Sequence, residues 1–463
     1  MAEASDCPSC SKLRIDLEAL RHEIRDLRAR LNLTSRNSSK PPSSDPPGAP
    51  PRPTATPTGR KPGGQPGHPG AERRQFRPSE IDRRVPVTVE GGRCQRCSTP
   101  LSKGRRVEPE RRQIVEIPPV VATVTEYVVE RVACSGCGLT TCAPLPSGVP
   151  YGVVGPRLQA VLALLVGRFR LSRRETEEAT VALFGEKARV SLGWISELEQ
   201  NTSAALEHAD RDVADHVRQS RIAHADETSF RQGKKKTWLW TASTALVSLF
   251  RIDAERSREA FHRMLGRNYK GTLVTDRWNA YHHHDKRRRQ LCWAHLKRNL
   301  QDLVDRGRPA DVVGRAGLRA VDEIFEAYND YRTRGTLLAT LARRLAPTRR
   351  LLLAALERGK KNPDRKAAAL CKDVLKLFPC LWTFTRTEGV PPTNNLAERR
   401  IRPAVLWRKN SFGCHSASGS RFAERMMTVV QTLRAQGRDV LAFLEAAIRA
   451  ALTGAKPPSI LPA

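Results

Sequence analysis

Between Pro41 and Gly70 eleven of thirty residues are Pro and six are Gly. Such a stretch lacks both the backbone donors and the apolar side chains of a packed core, so it is an extended, partly polyproline linker. The chain of 463 residues is therefore modular, with a Pro/Ser/Gly-rich linker over 35–75. That length suits about two to four domains.

Ahead of the linker, Leu13, Leu17, Leu20, Ile24, Leu27 and Leu31 recur at spacings of 4, 3, 4, 3 and 4 with charged residues between them. This is an a/d seam, and it predicts a coiled coil over 11–34 that pairs with a second copy of the chain. Under three heptads, the same pattern also suits a helix docking on its own protein.

Behind the linker, residues 76–145 carry the pairs Cys94/Cys97 and Cys134/Cys137, with β-rich stretches at Ile114–Ile117 and Val120–Val124 between them. Two thiolate pairs supply four tetrahedral ligands, which predicts a zinc-ribbon-like domain with structural Zn²⁺. The 36-residue gap is long for that motif, so unmetallated cysteines stay open as the alternative. Cys7 and Cys10 form a third pair with no partner pair nearby and bind metal only across a dimer. Over 150–205, an apolar helix from Leu158 to Val166, the segment from Leu171 and a further helix from Ser191 fit a helix-turn-helix whose last helix enters a major groove. A plain helical bundle fits these residues equally well.

Charge narrows the partners. Eighty Lys and Arg stand against 48 Asp and Glu, a formal +32, and such a field favours a polyanion, most simply nucleic acid. No run reaches the roughly 18 apolar residues of a membrane span, and the N-terminus lacks a signal pattern, so the expected location is the cytoplasm, with no membrane partner.

Residues 221–300 read as strand, strand, strand, helix, strand, strand, an α/β pattern. Asp226 and Asp276 are expected at strand ends, where a sheet displays reactive groups. Far downstream, Asn394, Glu398 and Arg402 share a helical stripe, a carboxylate flanked by groups that suit metal and phosphate, and Pro403 is expected to kink or stop that helix. Taken singly, each Asp also reads as a turn residue and the Glu as half of a surface ion pair.

The combination resembles bacterial transposases of the insertion sequence 66 family. The resemblance rests on the zipper followed by Asn37–Asp45, the paired cysteines, Asp226-Glu227-Thr228, Thr275-Asp276 with Tyr281, Cys292-Trp-Ala-His295, and Asn394-Asn-Leu-Ala-Glu398 running into Arg408-Lys409-Asn410. It implies a multidomain α/β chain whose RNase H-like catalytic core is interrupted by a helical insertion. The core would open with 215–299, give way to the basic helical insertion over 300–387, and resume over 388–430 with the glutamate helix, leaving 431–463 as a C-terminal helix and tail. The implied activity is a DNA transposase of the Asp-Asp-Glu class, with Asp226, Asp276 and Glu398 holding Mg²⁺ or Mn²⁺ for two-metal phosphoryl transfer. It would nick the ends of an insertion sequence and join the freed 3′-hydroxyls to target DNA. Partners implied are double-stranded DNA, further copies of the chain and accessory proteins encoded by the same element.

Arg402, Arg408 and Lys409 are candidate DNA contacts. Cys292 and His295 are accessory candidates beside the active site, since two ligands make an incomplete zinc site. The rival readings are a non-catalytic DNA-binding protein derived from a transposase, and a nuclease that cuts without joining.

Overall fold

The computed structural model describes residues 8–38, 45, 75–89, 91–150 and 152–462. Most of the linker, Cys7 and the side chain of Cys10 lie outside the described residues. The chain divides into two units, Pro51–Val121 and the remainder.

Within Pro51–Val121, short turns are held by side chains: the carboxamide of Gln113 donates to the Phe76 carbonyl at 3.0 Å and accepts from its N–H at 2.7 Å. The strands expected at Ile114–Ile117 and Val120–Val124 do not form. Ile114, Ile117 and Val121 stay exposed. Pro118 and Pro119 remove two successive donors between the stretches, so alternation finds no ladder to join.

The larger unit opens with helix α1 (Pro8–Leu31). Its seam residues, Leu13 through Leu31, are 48 to 80% exposed, so nothing among the described residues covers the stripe. The contact α1 makes with its own protein is polar: Asp26 pairs with Arg306 at 2.7 Å. Strands β1 (Arg131–Ala133) and β2 (Thr140–Cys142) form an antiparallel hairpin with Cys134 and Cys137 in its turn.

Four helices follow: α2 (Pro156–Leu164), α3 (Arg173–Phe184), α4 (Leu192–Ala205) and α5 (Glu207–Gln219). Ser172 caps α3 by accepting from Glu175 N–H, and Glu175 accepts in return from Ser172 N–H, a capping box. Ser191 caps α4 in the same sense. The α4 helix contains no Lys or Arg, and it buries Ile195 and Leu198 with Val154 and Leu162.

The centre is a five-stranded sheet built from β3 (Ile222–Gln232), β4 (Lys235–Ser243), β5 (Ser248–Asp253), β6 (Thr272–Thr275) and β7 (Arg289–Leu291), with α6 (Arg258–Leu265) between β5 and β6. Strand order is β5-β4-β3-β6-β7: an antiparallel meander, then two strands parallel to β3. The meander follows from short connections, the Gly233 turn (φ 58°) among them.

The helical stretch expected from residue 300 begins directly after β7, with α7 (Trp293–Asp305), α8 (Asp311–Arg334), α9 (Leu338–Gly359) and α10 (Arg365–Lys376). It has its own apolar core, from Leu296 through Leu352 to Trp382, which closes on the sheet through Val274 and Leu291. Then come α11 (Asn395–Ser411), α12 (Ala417–Ala435) and α13 (Val440–Thr453). Helix α11 runs through Pro403 without stopping, because Ile401, Ala404 and Trp407 are buried on both sides of the proline and hold the helix to the sheet. The chain beyond Phe422 forms two helices, broken at Gly437 (φ 68°), and α12 spans the boundary placed at 430/431. Buried Phe422, Met426 and Val429 of α12 pack with Leu249 and Phe250 of β5.

Candidate active site

Parallel strands in register bring their C-terminal ends level. Residues 222–224 of β3 pair with 272–274 of β6, and 273–275 of β6 with 289–291 of β7. Continuing each register sets Asp226, Asp276 and Cys292 side by side, and Cys292 N–H donates to the Thr275 carbonyl at 2.8 Å. Asp276 is the first residue past its strand, as expected. Asp226 is not at a strand end but in the middle of β3, because β4 continues the antiparallel ladder to Gln232.

Glu398 arrives on the first turn of α11. Asn394, at the head of that helix, is fully buried and fixes it to the sheet: its Nδ2 donates to the Ala225 carbonyl at 2.8 Å and its Oδ1 lies 3.2 Å from His224 Nδ1. Burial holds His224 down at about 4, so it is neutral. Asn394 N–H donates to Cys292 Sγ at 3.2 Å.

These carboxylates feel one another. Burial, then Glu227, Asp276 and Glu398, push Asp226 well above the ordinary carboxylate range. Among the described residues no Lys or Arg forms an ion pair with Asp226, Asp276 or Glu398. A half-buried group of carboxylates that no Lys or Arg of the described residues pairs with is a donor set for hard divalent ions, so the residues present fit Mg²⁺ or Mn²⁺.

A fourth carboxylate, Glu227, is not among the site residues that the sequence pattern picks out. Its side chain is 1% exposed, pairs with Arg256 at 2.6 Å and accepts from the Tyr281 hydroxyl. The Arg256 guanidinium lies 3.9 Å from the Trp278 ring centroid and 4.9 Å from that of Trp238. Adjacency to Asp226 is the available signal, but strand alternation argues against two neighbours facing one site. Arg289 also escapes the sequence pattern: it is buried under the loop after β6, where it donates to the Asp276 carbonyl at 2.9 Å and to Thr275 Oγ1 at 3.2 Å.

Of the candidate DNA contacts, Arg402 and Lys409 are not buried on α11. Arg408 instead ties α11 to β3, donating to the Ser229 carbonyl at 2.7 Å and to Thr228 Oγ1 at 3.3 Å. Cys292 and His295 both reach Glu398. Beside Asp276 opens a cleft of 670 Å³ whose walls include Arg277, Trp278, Lys286, His295, Asp373 and Lys376, so cations from the β6–β7 connection and from α10 face it together with Asp373.

The paired cysteines occupy two turns of the same design. In each, the first Cys N–H bonds the carbonyl five residues on (Thr99, Leu139), and its carbonyl accepts from the N–H four residues on (Ser98, Gly138). The residue at that fourth position is left-handed in both, Ser98 at φ 56° and Gly138 at φ 74°. Hydrogen bonds, from Thr99 to Cys97 and from the N–H groups of Cys137 and Gly136 to Cys134, lower these two thiols.

The Transposase IS66 family matches residues 175–422, which contain the sheet, the insertion and all three carboxylates, and a family of unknown function, DUF6444, matches residues 7–74. Three Sinorhizobium fredii proteins are similar. The uncharacterized protein y4qI is 26% identical over 265 residues, 50% of this chain and 48% of that protein, so the match spans about half of that relative. The uncharacterized proteins y4hP and y4jD are each 23% identical, over 79% and 82% of this chain and 72% and 78% of their own lengths. No solved structure matches the chain. With more than half of its length matched, through the residues that build the site, the chain belongs to the IS66 family of transposases.

Proposed function

We propose that the chain is a divalent-metal-dependent DNA transposase of the Asp-Asp-Glu class that nicks the ends of a mobile element and joins the freed 3′-hydroxyls to target DNA. The observation that carries this reading is the meeting of Asp226, Asp276 and Glu398, from three separate places in the fold, as a half-buried carboxylate group with which no Lys or Arg of the described residues pairs. The strand order, a meander followed by two strands parallel to the first, supports an RNase H-like core.

Asp226, Asp276 and Glu398 would hold Mg²⁺ or Mn²⁺, which bound there supplies activation of the attacking oxygen and stabilisation of the leaving one. Asn394 positions the Glu398 helix, and Arg289 holds the backbone that presents Asp276. The cationic cleft beside Asp276 would receive the phosphodiester, with Arg402 and Lys409 contacting flanking DNA. In the 150–205 region, Arg168, Arg170 and Arg174 are better placed for phosphate contact than the uncharged-to-acidic α4.

Outside the core, the bare seam of α1 supports homodimerisation through a coiled coil. The matched turns at Cys94/Cys97 and Cys134/Cys137 support structural Zn²⁺, although each pair alone supplies only two ligands. Accessory proteins of the same element complete the expected partners.

Incubation of the purified chain with labelled element-end DNA and a target plasmid in Mg²⁺, beside Asp276→Ala, tests this function. Nicked and joined products that vanish in the variant are expected. Cutting without joining would indicate a nuclease, and binding without cutting by either protein would indicate the non-catalytic DNA-binding role.

A further inference from the structure

Cys292 stands at the head of α7 and His295 on its first turn. Cys292 Sγ lies 4.0 Å from Oε1 of Glu398, and His295 Nδ1 lies 3.3 Å from the same oxygen. Three donor atoms, one from each residue, fall within 4.8 Å of one another, a grouping that occurs at this one place among the described residues. Tetrahedral zinc, with bonds of about 2.3 Å to sulfur and about 2.0–2.1 Å to nitrogen or oxygen, sets such donors roughly 3.3–3.6 Å apart. Modest side-chain shifts would bring the three donors to that geometry.

Sulfur and nitrogen donors are wrong for Mg²⁺, which takes oxygen, and right for a borderline transition metal. His295 Nδ1 is buried and makes no hydrogen bond although it faces Glu398, so its lone pair or proton has no other use. The Asn394 N–H donates to the Cys292 sulfur at the head of a 13-residue helix, while burial and the neighbouring Glu398 push the thiol up to about 11, so a bound ion has to displace its proton. The side chains of His295 and Glu398 are 22% and 32% exposed, and His295 lines the cleft with Asp276, so an ion can enter from there.

We propose that Cys292, His295 and Glu398 form a binding site for a zinc-class transition-metal ion, distinct from the carboxylate site for hard ions, and that filling it withdraws one oxygen of Glu398 from that site. Binding releases the Cys292 thiol proton to solvent and forms bonds from Sγ, Nδ1 and Oε1, with a water or hydroxide in the fourth position. The site stands on its own geometry; its effect on cleavage rests on the transposase reading. Zinc-class ions then act as competitive inhibitors of Mg²⁺-dependent nicking.

The full-length chain is titrated with Co²⁺ in the absence of DNA, and the spectrum of Cys292→Ser is subtracted so that cobalt at Cys94, Cys97, Cys134 and Cys137 cancels. One equivalent with a thiolate-to-cobalt charge-transfer band is expected in the difference. His295→Asn and Glu398→Gln, which keep the thiol, should each weaken it at least about tenfold. Circular dichroism checks that each variant is folded. A null difference spectrum from folded proteins, or an unchanged band in both thiol-retaining variants, overturns the site. In the nicking assay, zinc at the occupancy so measured should lower the Mg²⁺-dependent rate about tenfold or more, and an unaltered rate overturns the competition. A chain that binds cobalt as expected but nicks no DNA leaves the site standing and removes the transposase reading.

Discussion

Asn394 N–H donates to Cys292 Sγ across 3.2 Å, joining the residue before α11 to the residue after β7. This bond crosses the whole insertion, so the Glu398 helix is docked on the sheet independently of the 101 residues between them (293–393). The side chain of Asn394 completes the joint at Ala225 and His224, one and two residues before Asp226 on β3.

Asn394→Ala leaves the Ala225 carbonyl and the His224 ring without partners in a fully buried place. The expected cost is about 1–3 kcal/mol per unsatisfied group, read as a lower urea midpoint, together with a loss of nicking beyond what the stability change explains. A variant with wild-type midpoint and rate would show that the helix is held by other contacts.

Asp226 in the metal-free protein is raised by burial and by its acidic neighbours. A carboxyl raised on folding contributes stability that is complete at low pH and is lost as pH rises through its folded value. Asp226→Asn is therefore more stable than the wild type near neutral pH without metal. Addition of Mn²⁺ should reverse the order, stabilising the wild type by about 2.7 kcal/mol at a hundredfold excess over Kd and the variant by much less. Thermal melts with and without Mn²⁺ measure both effects.

Glu424 provides a second pH dependence, remote from the carboxylate site. Burial raises it to about 7, with the Ile252 N–H and Arg251 pulling the other way and Asp210 adding repulsion. Its stability contribution is present below the unfolded value near 4.5 and is lost as pH rises through 7. Glu424→Gln keeps an acceptor for Ile252 and removes the charge. Above pH 8 it should be more stable than the wild type by up to about 3 kcal/mol, and near pH 4 the two should match. Urea unfolding across that range is the measurement.

Leu20 and Ile24 are 57% and 48% exposed on the α1 seam. Replacing both by Asp should convert a dimer to a monomer in analytical ultracentrifugation while leaving the thermal unfolding of the sheet and insertion unchanged. A wild-type chain that is already monomeric at micromolar concentration would remove the coiled-coil pairing.

Asp226, Asp276 and Glu398 stand out in the sequence through the family resemblance rather than through strand alternation, since β6 and the first half of β3 are continuous buried runs. The mid-strand place of Asp226 is not evident in the same way: the hydrophobic pattern of β3 fades after Ala225, and its last six residues are held by the β4 ladder with Phe230 as their one buried apolar anchor. The continuation of α11 through Pro403 is hidden for a similar reason, since tertiary burial of Ala404 and Trp407 outweighs one lost hydrogen bond. In the opposite direction, the valine-rich run from Ile114 to Val124 has strand-like residues but, among the described residues, no neighbouring strand to form a ladder with, so it makes no strand. Glu227 and Arg289 escape notice because their roles depend on contacts with Arg256, Tyr281 and the Asp276 backbone, which lie up to 54 residues away in sequence.

The central claim is that Asp276 is a metal ligand in DNA cleavage, and exchange of its oxygen donor for sulfur tests it most directly. Nicking of labelled element-end DNA by Asp276→Cys is measured in Mg²⁺ and in the more thiophilic Mn²⁺, beside Asp276→Ala. The cysteine variant should be inactive in Mg²⁺ and recover in Mn²⁺, while the alanine variant is inactive in both. Cleavage by Asp276→Ala at the wild-type rate, or cleavage by the wild type that persists without any divalent metal, would contradict the account.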